Sequence, residues 1–202
     1  MDEMEHSASS MWTEVVEALV PHHSLNKLEI SGYKGSRLPH LMSSPFNFIK
    51  EIHLDWLSEL SSLPVMGKLP FLEILSIWIV DELKFVGRDF LGIESSFDVV
   101  VVAFPKLEKL EFWYCSKWEE WEDITEEEEE SAAISIMPCL TKLIYHLCES
   151  LKKLPHRLLR KVSSSLQLDT SGSTELVKTY GEDKEGSVWR SISQHNPQLK
   201  LR

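Results

Sequence analysis

The sequence predicts an α/β solenoid, with short parallel strands on its concave face and irregular loops and short helices on its convex face. Three apolar residues at offsets 0, 3 and 5 recur along the chain, and residues 69–77 contain the clearest copy. The last two residues of each triplet are separated by one residue, as are the inward side chains of a strand. One such strand cannot bury its apolar face alone, so successive copies must stack. The copies are Leu25/Leu28/Ile30, Ile49/Ile52/Leu54, Leu72/Leu75/Ile77, Leu107/Leu110/Phe112, Leu140/Leu143/Tyr145 and a degenerate Ser163/Leu166/Leu168.

The spacing of the copies indicates the type of solenoid. They begin at residues 25, 49, 72, 107, 140 and 163. The short offsets fall in the range of about 20–29 residues that is typical of leucine-rich repeats, and solenoids accept inserts in their loops. We therefore predict a leucine-rich-repeat solenoid over residues 23–170, with inserts at about 87–103 and 119–136.

The remaining elements follow in chain order. Residues 1–10 are polar and are expected to be a disordered start, while the apolar spacing of residues 11–22 predicts the N-terminal helix of a truncated repeat. The run Val99–Ala103 at the end of the first insert could form an extra strand. Residues 171–202 are expected to cap the last repeat. The six predicted repeat strands are 27–31, 51–55, 74–78, 109–113, 142–146 and about 165–169.

Charge is concentrated in one segment of this 202-residue chain. The net charge is −11, and nine of the acidic residues lie between positions 119 and 130. This segment is expected to be a solvated, partly disordered loop. No basic stripe exists that could neutralise phosphates, so nucleic acid is not an expected partner.

The cysteine count and the apolar runs bear on the cellular compartment. Three cysteines do not form a disulfide framework, and we expect all three to be reduced. The start of the chain lacks the apolar core of a secretory signal. No apolar run approaches the roughly 20 residues of a membrane span. These features predict a cytoplasmic protein with no membrane span.

The most distinctive part of the sequence is Phe-Pro-Lys-Leu-Glu-Lys-Leu-Glu-Phe at 104–112, followed by Trp-Glu-Glu-Trp at 118–121. Further distinctive segments are residues 15–22, 32–39, 60–70 and, at the C-terminal tail, 180–192. Together these segments resemble the repeat region of plant nucleotide-binding, leucine-rich-repeat disease-resistance proteins of the coiled-coil subclass. The resemblance covers residues 11–202.

The resemblance implies part of an intracellular immune receptor, in which repeats hold a nucleotide-binding switch inactive and help to sense pathogen effectors. One feature of the family is missing from this sequence. No Gly-x-x-x-x-Gly-Lys-Ser/Thr loop occurs, since Gly67-Lys68 is followed by leucine and lacks the upstream glycine. No nucleotide cofactor is therefore expected. Because Met1 falls inside the expected repeat array, we expect a fragment or a truncated relative of such a receptor.

The concave face is the expected protein-binding surface. Side chains that flank the two inward positions of each strand point to this face, and adjacent repeats place Trp78 beside Trp113. Exposed aromatic side chains are common anchors of protein interfaces. The expected third position of the sixth strand is Asp169. The candidate binding residues are Ile74, Trp78, Glu111, Trp113, Ile144, His146, His53 and Asp55.

The expected partner is a protein: a pathogen effector, a guarded host protein or the receptor's own nucleotide-binding domain. A loop from residues 114–137 that covers the tryptophans is the alternative interpretation of this face. Two other functions stay open, a substrate-recruiting repeat domain of a ubiquitin ligase and a non-functional truncated resistance-gene product.

No catalysis and no metal site are expected. His53, Asp55 and Ser76 could lie on one face, but an open strand face offers no turn to stabilise an oxyanion. The pair His22-His23 lacks further ligands at a suitable spacing.

Overall fold

The computed structural model describes residues 22, 24–38, 48–93, 100–162, 165–181 and 194. The predicted start (1–10), all but one residue of the predicted N-terminal helix (11–22), and most of the predicted cap beyond residue 181 lie outside the described residues. In chain order the described elements are β1 (Lys27–Ser31), β2 (Glu51–Asp55), β3 (Ile74–Trp78), β4 (Phe85–Val86), a 3₁₀ helix (Arg88–Leu91), β5 (Val101–Ala103), β6 (Lys109–Trp113), β7 (Glu120–Trp121), α1 (Glu126–Glu130), β8 (Ile134–Ile136), β9 (Lys142–His146), α2 (His156–Lys161), β10 (Gln167–Asp169) and α3 (Thr174–Gly181).

Six of these strands form the predicted parallel sheet, in the order β1-β2-β3-β6-β9-β10. Each strand lies beside the strand of the next repeat, as expected for a solenoid, and the α/β leucine-rich-repeat fold is confirmed. The inward residues of β2, β3, β6 and β9 are fully buried and form one continuous core. Those of β1, Leu28 and Ile30, are partly buried against it.

The register of the sixth repeat differs from the prediction by two residues. Gln167 pairs with Lys142 and Asp169 with Ile144, so the triplet is Ser165/Leu168/Thr170 rather than Ser163/Leu166/Leu168. Thr170 is buried. A slip of two residues keeps every side chain on its face, because the period of a strand is two. Alternation alone therefore could not separate the two registers.

The residue after each of the first five strands of the large sheet has a left-handed backbone, as has Gly172 at the equivalent position of the sixth repeat. Its N–H donates to a carbonyl of the next repeat, as from Trp56 to Trp78 and from Tyr114 to His146. The turn thus keeps the hydrogen-bond ladder while it leads the chain out of the sheet. The left-handed conformation costs a non-glycine residue about 1 kcal/mol. This row consists of Gly32 (φ 69°), Trp56 (56°), Ile79 (53°), Tyr114 (57°), Leu147 (54°) and Gly172 (75°).

A row of small polar side chains lies beneath these turns. Cys115, Cys148 and Ser173 occupy the same repeat position and are buried. The Ser173 hydroxyl donates to the Tyr145 carbonyl at 2.7 Å and accepts the Cys148 N–H at 3.1 Å. The Cys148 thiol lies 3.7 Å from the equivalent carbonyl of Phe112. A hydrogen bond with Cys148 and burial both raise the pKa of the Cys115 thiol, so this thiol is an unreactive structural group.

The two long repeats have the same internal layout. Strand β4 pairs with β7, and β5 pairs with β8, all in parallel. A short helix lies between the two small strands of each repeat, the 3₁₀ helix in one and α1 in the other. The predicted extra strand at the end of the first insert is confirmed over Val101–Ala103, and it pairs with the second insert.

The acidic segment is ordered, contrary to the expectation of a solvated, partly disordered loop. Residues Glu126–Glu130 form α1, whose N-terminus is capped reciprocally by Thr125 and Glu128. Glu128 is 3% exposed and bonds to Arg88 of the preceding repeat. Glu129 pairs with Arg160 of α2, with Nη2 to Oε2 at 2.8 Å. Acidic residues are favourable in the first turn of a helix, and the arginines of two flanking repeats neutralise them.

Two further acidic residues cap helices in neighbouring repeats. Glu122 accepts the backbone N–H of Arg88 at 3.0 Å. Asp123 accepts the backbone N–H groups of Arg157 and Leu158, each at 2.9 Å. The acidic segment therefore fastens three successive repeats together on the convex side.

Replacing Ser173 by alanine should destabilise the fold. The variant leaves the buried Tyr145 carbonyl and Cys148 N–H without a partner, and we expect a loss of about 1–3 kcal/mol in the free energy of unfolding. Urea unfolding followed by circular dichroism measures this loss. Ser116→Ala, at an exposed position, is the control. Equal stability of the two variants would contradict a stabilising role of the Ser173 hydroxyl.

Glu129→Gln should lower stability at neutral pH but not in acid. The hydrogen bond from Arg160 lowers the pKa of Glu129 below its ordinary value of 4.5. Its stabilising effect is therefore complete above pH 4.5 and is lost as the pH falls through the lowered folded-state pKa. We expect a difference of about 1 kcal/mol at pH 7, with solvent screening allowed for.

Thermal unfolding between pH 3 and pH 8 checks this dependence. Glu126→Gln, an exposed position on the same helix, is the matched control. A difference that persists unchanged in acid would show that the Glu129 contact is not electrostatic.

Candidate functional site

A stack of aromatic rings crosses the concave face. Trp78, Trp113 and His146 occupy the same position of β3, β6 and β9. The rings of Trp78 and Trp113 are stacked, with centroids 4.7 Å apart and an interplanar angle of 15°. The ring of His146 lies 4.3 Å from that of Trp113. These distances match the spacing of neighbouring strands, about 4.8 Å, so the sheet itself brings the rings together.

Segment 114–137 does not cover the stack. Its own tryptophans, Trp118 and Trp121, are buried in the core, where they surround Phe112 and Tyr145. Trp78 is 37% exposed, and the other two rings are half-buried. The alternative interpretation, in which this segment covers Trp78 and Trp113, is therefore wrong.

Glu111 lies beneath the stack and is buried. Its carboxylate accepts the Ser76 hydroxyl at 2.7 Å, forms an ion pair with Lys109 at 2.9 Å and lies 3.4 Å from the indole nitrogen of Trp113. Glu111 was predicted as a contact residue of the concave face. Only 6% of Glu111 is exposed, so it contributes little surface of its own, and its carboxylate contacts neighbouring side chains instead.

The other predicted residues lie around the stack. Ile74 and Ile144 flank it and are half-buried. His53 bonds to Glu51 at 3.4 Å, and Ser76 donates to Glu111. The grouping of His53, Asp55 and Ser76 that could suggest a hydrolase is therefore not assembled.

Asp55 lies at one end of the aromatic stack, between Ser31 of β1 and Trp78 of β3 in the register. It is half-buried, and its Oδ1 is shielded from solvent without a hydrogen-bond partner among the described residues. Burial raises the pKa of the Asp55 carboxyl, the N–H of Trp56 opposes this, and the negative charge of Glu29 raises the pKa further. At the other end of the row the structure has Ser171, not the expected Asp169, because of the shifted register.

The left-handed residues form a second exposed row that the sequence analysis missed. Trp56 is 61% exposed and Tyr114 45%. A groove of about 390 Å³ follows this row and is lined by Ile79, Asp81, Tyr114, Ser116, Leu147 and Glu149. The position of the first five of these residues, one after each predicted strand, was visible in the sequence. Their left-handed backbone was not, because only the first and last members are glycine.

Two searches of the described residues bear on other functions. They contain no group of three or more His, Cys, Asp or Glu side chains suited to a metal ion. They also contain no helix long and apolar enough to cross a membrane.

Comparisons with known proteins agree with this geometry. A family model described as R13L1/DRL21 LRRs matches residues 1–80. The disease resistance protein At3g14460 of Arabidopsis thaliana is 38% identical over 141 residues, which are 69% of this chain and 9% of that protein. These matches identify a leucine-rich-repeat region of the plant disease-resistance type. The resemblance stated from the sequence is confirmed.

Two further relatives carry the same kind of name. The disease resistance RPP13-like protein 1 of Arabidopsis thaliana is 35% identical over 68% of this chain and 13% of its own length. The disease resistance protein RGA2 of Solanum bulbocastanum is 34% identical over 54% of this chain and 11% of its own length. The chain thus spans only about a tenth of the curated relatives that it matches. Their names favour the disease-resistance interpretation over the ubiquitin-ligase alternative.

The exposed Trp78 should matter little for folding. We expect Trp78→Ala to lower the free energy of unfolding by about 1–2 kcal/mol, because the variant loses an aromatic pair and the part of the ring that is shielded from solvent. By contrast, Trp118→Ala opens the buried core and should cost about 3–5 kcal/mol. Urea unfolding of both variants measures these costs. Similar large losses in the two variants would mean that Trp78 belongs to the core.

Proposed function

We propose that this repeat region recognises a protein through the aromatic stack of its concave face, as part of a plant intracellular immune receptor. The partner is a pathogen effector, a guarded host protein or the nucleotide-binding domain of the receptor. The observation that carries the proposal is the row of rings formed by the stacked Trp78 and Trp113 and by His146, which packs on Trp113 at a tilt of 42°. Aromatic side chains dominate the binding energy of protein interfaces.

The contacts around the stack support this function. Trp113 is held from below by Glu111, which in turn is held by Ser76 and Lys109. Rings that are fixed before binding lose little conformational entropy on binding. Exposed charged residues on either side of the stack, such as Glu29 of β1 and Lys142 of β9, form a polar rim. An apolar centre with a polar rim is the usual anatomy of a protein interface.

The proposal assigns no chemistry to the chain. The hydroxyl of Ser76 and the imidazole of His53 are both engaged by glutamates, which supports a binding function over a hydrolytic one. The proposed location is the cytoplasm, and the three cysteines without disulfides fit a reducing compartment.

The contact with a nucleotide-binding domain can be tested by mutation of the stack. The chain is co-expressed with the nucleotide-binding domain of a plant disease-resistance protein, and the affinity of the complex is measured by calorimetry. We expect Trp78→Ala with Trp113→Ala to weaken binding by about 2 kcal/mol or more, the loss typical of an interface hot spot. Circular dichroism verifies that the variant is folded.

Phe85→Ala is the matched control, because Phe85 is an aromatic residue 45% exposed outside the concave sheet. It should leave the affinity unchanged. Undiminished binding of the double variant would contradict the concave face as the contact surface.

A further inference from the structure

The aromatic stack ends in a step at Trp78, where the row continues with Asp55 and Ser31. Asp55 and Trp78 are neighbours in the register of β2 and β3, but the side chain of aspartate is short and that of tryptophan is long. The indole of Trp78 therefore rises above Asp55. We call this difference in height the step. The Asp55 carboxylate forms its floor, and the Trp78 ring forms its wall.

The wall of the step is the free face of the Trp78 ring. One face of this ring lies against Trp113, on the next strand. Because the two rings are stacked across neighbouring strands, the ring normals run from strand to strand along the row. The opposite face of Trp78 is accordingly turned toward β2, above Asp55.

The floor of the step carries a negative charge that the chain does not neutralise. Among the described residues, Asp55 takes part in no ion pair, and its Oδ1 has no hydrogen-bond partner. The nearest charged group that affects it is another acid, Glu29. Only the backbone N–H of Trp56 favours the charged form of this half-buried carboxylate, and a positive charge placed against it would add a stronger, charge-assisted contact.

We propose that the step between Asp55 and Trp78 accepts an arginine side chain of the bound protein. A guanidinium is planar and weakly hydrated, so it can stack on the indole face and donate to the carboxylate at the same time. A lysine ammonium can do only the second of these well. The inference rests on the proposed function, since it names the chemistry of the partner at one point of the same surface.

The neighbouring groove has matching chemistry. Asp81 and Glu149 line it together with the exposed ring of Tyr114, and in the described part of the chain neither acid forms an ion pair. The groove follows the same edge of the sheet as the step. A partner segment that places arginine in the step therefore continues over a surface that favours apolar and cationic residues.

The test uses the whole chain and a minimal probe, Nα-acetyl-arginine amide. The indole N–H signals are observed by nuclear magnetic resonance, and the Trp78 signal is assigned by its loss in Trp78→Phe. We expect a saturable shift of this signal. The citrulline analogue has the same shape without the charge, and it should bind about fivefold more weakly or worse.

Two variants that each remove one negative charge distinguish a specific effect of the step from an effect of the protein's overall charge. Asp55→Asn should weaken arginine binding about threefold or more, since it removes the charge-assisted hydrogen bond. Glu59→Gln, on an exposed residue of the next turn, removes one negative charge and should leave binding unchanged. Equal effects of the two variants, equal binding of citrulline, or no saturable shift of Trp78 would each overturn the inference.

The outcome is independent of the test of the proposed function. If arginine fails to bind while the tryptophan double variant still loses its protein partner, the concave face recognises a protein by other chemistry and the inference is wrong. If arginine binds as expected but the double variant keeps its partner, the step exists and the proposed function of the stack is wrong.

Discussion

The hydrogen-bond register of the six-stranded sheet is the constraint on which the rest of the structure depends. Parallel strands in register place each residue beside the one at the same position of the next repeat, as Trp78 lies beside Trp113. A residue type that recurs therefore becomes a continuous row. Apolar triplets become the core, Cys115, Cys148 and Ser173 become a polar ladder, and two tryptophans become a stack. The residue type that recurs at one repeat position thus determines the character of a whole surface.

The same register explains why bulky residues accept a left-handed backbone. The chain must leave the sheet immediately after each strand, yet the next N–H must still reach the neighbouring repeat. Ile79 and Leu147 satisfy both demands at a positive φ. Phe104 and Met137 show the same geometry after the small strands of the inserts. The left-handed backbone costs each of these residues about 1 kcal/mol. This cost is tolerated because the hydrogen bonds of the surrounding sheet fix the conformation on both sides.

The sequence was informative wherever the relevant neighbour lay at a fixed spacing. Five triplets and their strands follow from period and spacing alone, but the sixth does not, since Leu166 and Leu168 fit alternation equally well in either register. Gly172 would have distinguished the two, had its equivalence to Gly32 been recognised. The acidic segment was misjudged because its neutralising partners, such as Arg88, belong to other repeats. The burial of Glu111 has the same origin, since the neighbour Ser76 comes from a distant part of the chain.

The stack on the concave face is held more firmly than an exposed aromatic patch would need to be. Trp78 and Trp113 each shield one face of the other, and His146 continues the contact. The buried carboxylate of Glu111 lies within reach of the Trp113 indole nitrogen. A buried charge seldom adds stability of its own, and one use of such a group is to fix a single arrangement of its neighbours. The hydrogen bonds beneath the rings therefore orient the rings before a partner binds. A rigid recognition surface requires this property, whereas a purely structural sheet does not.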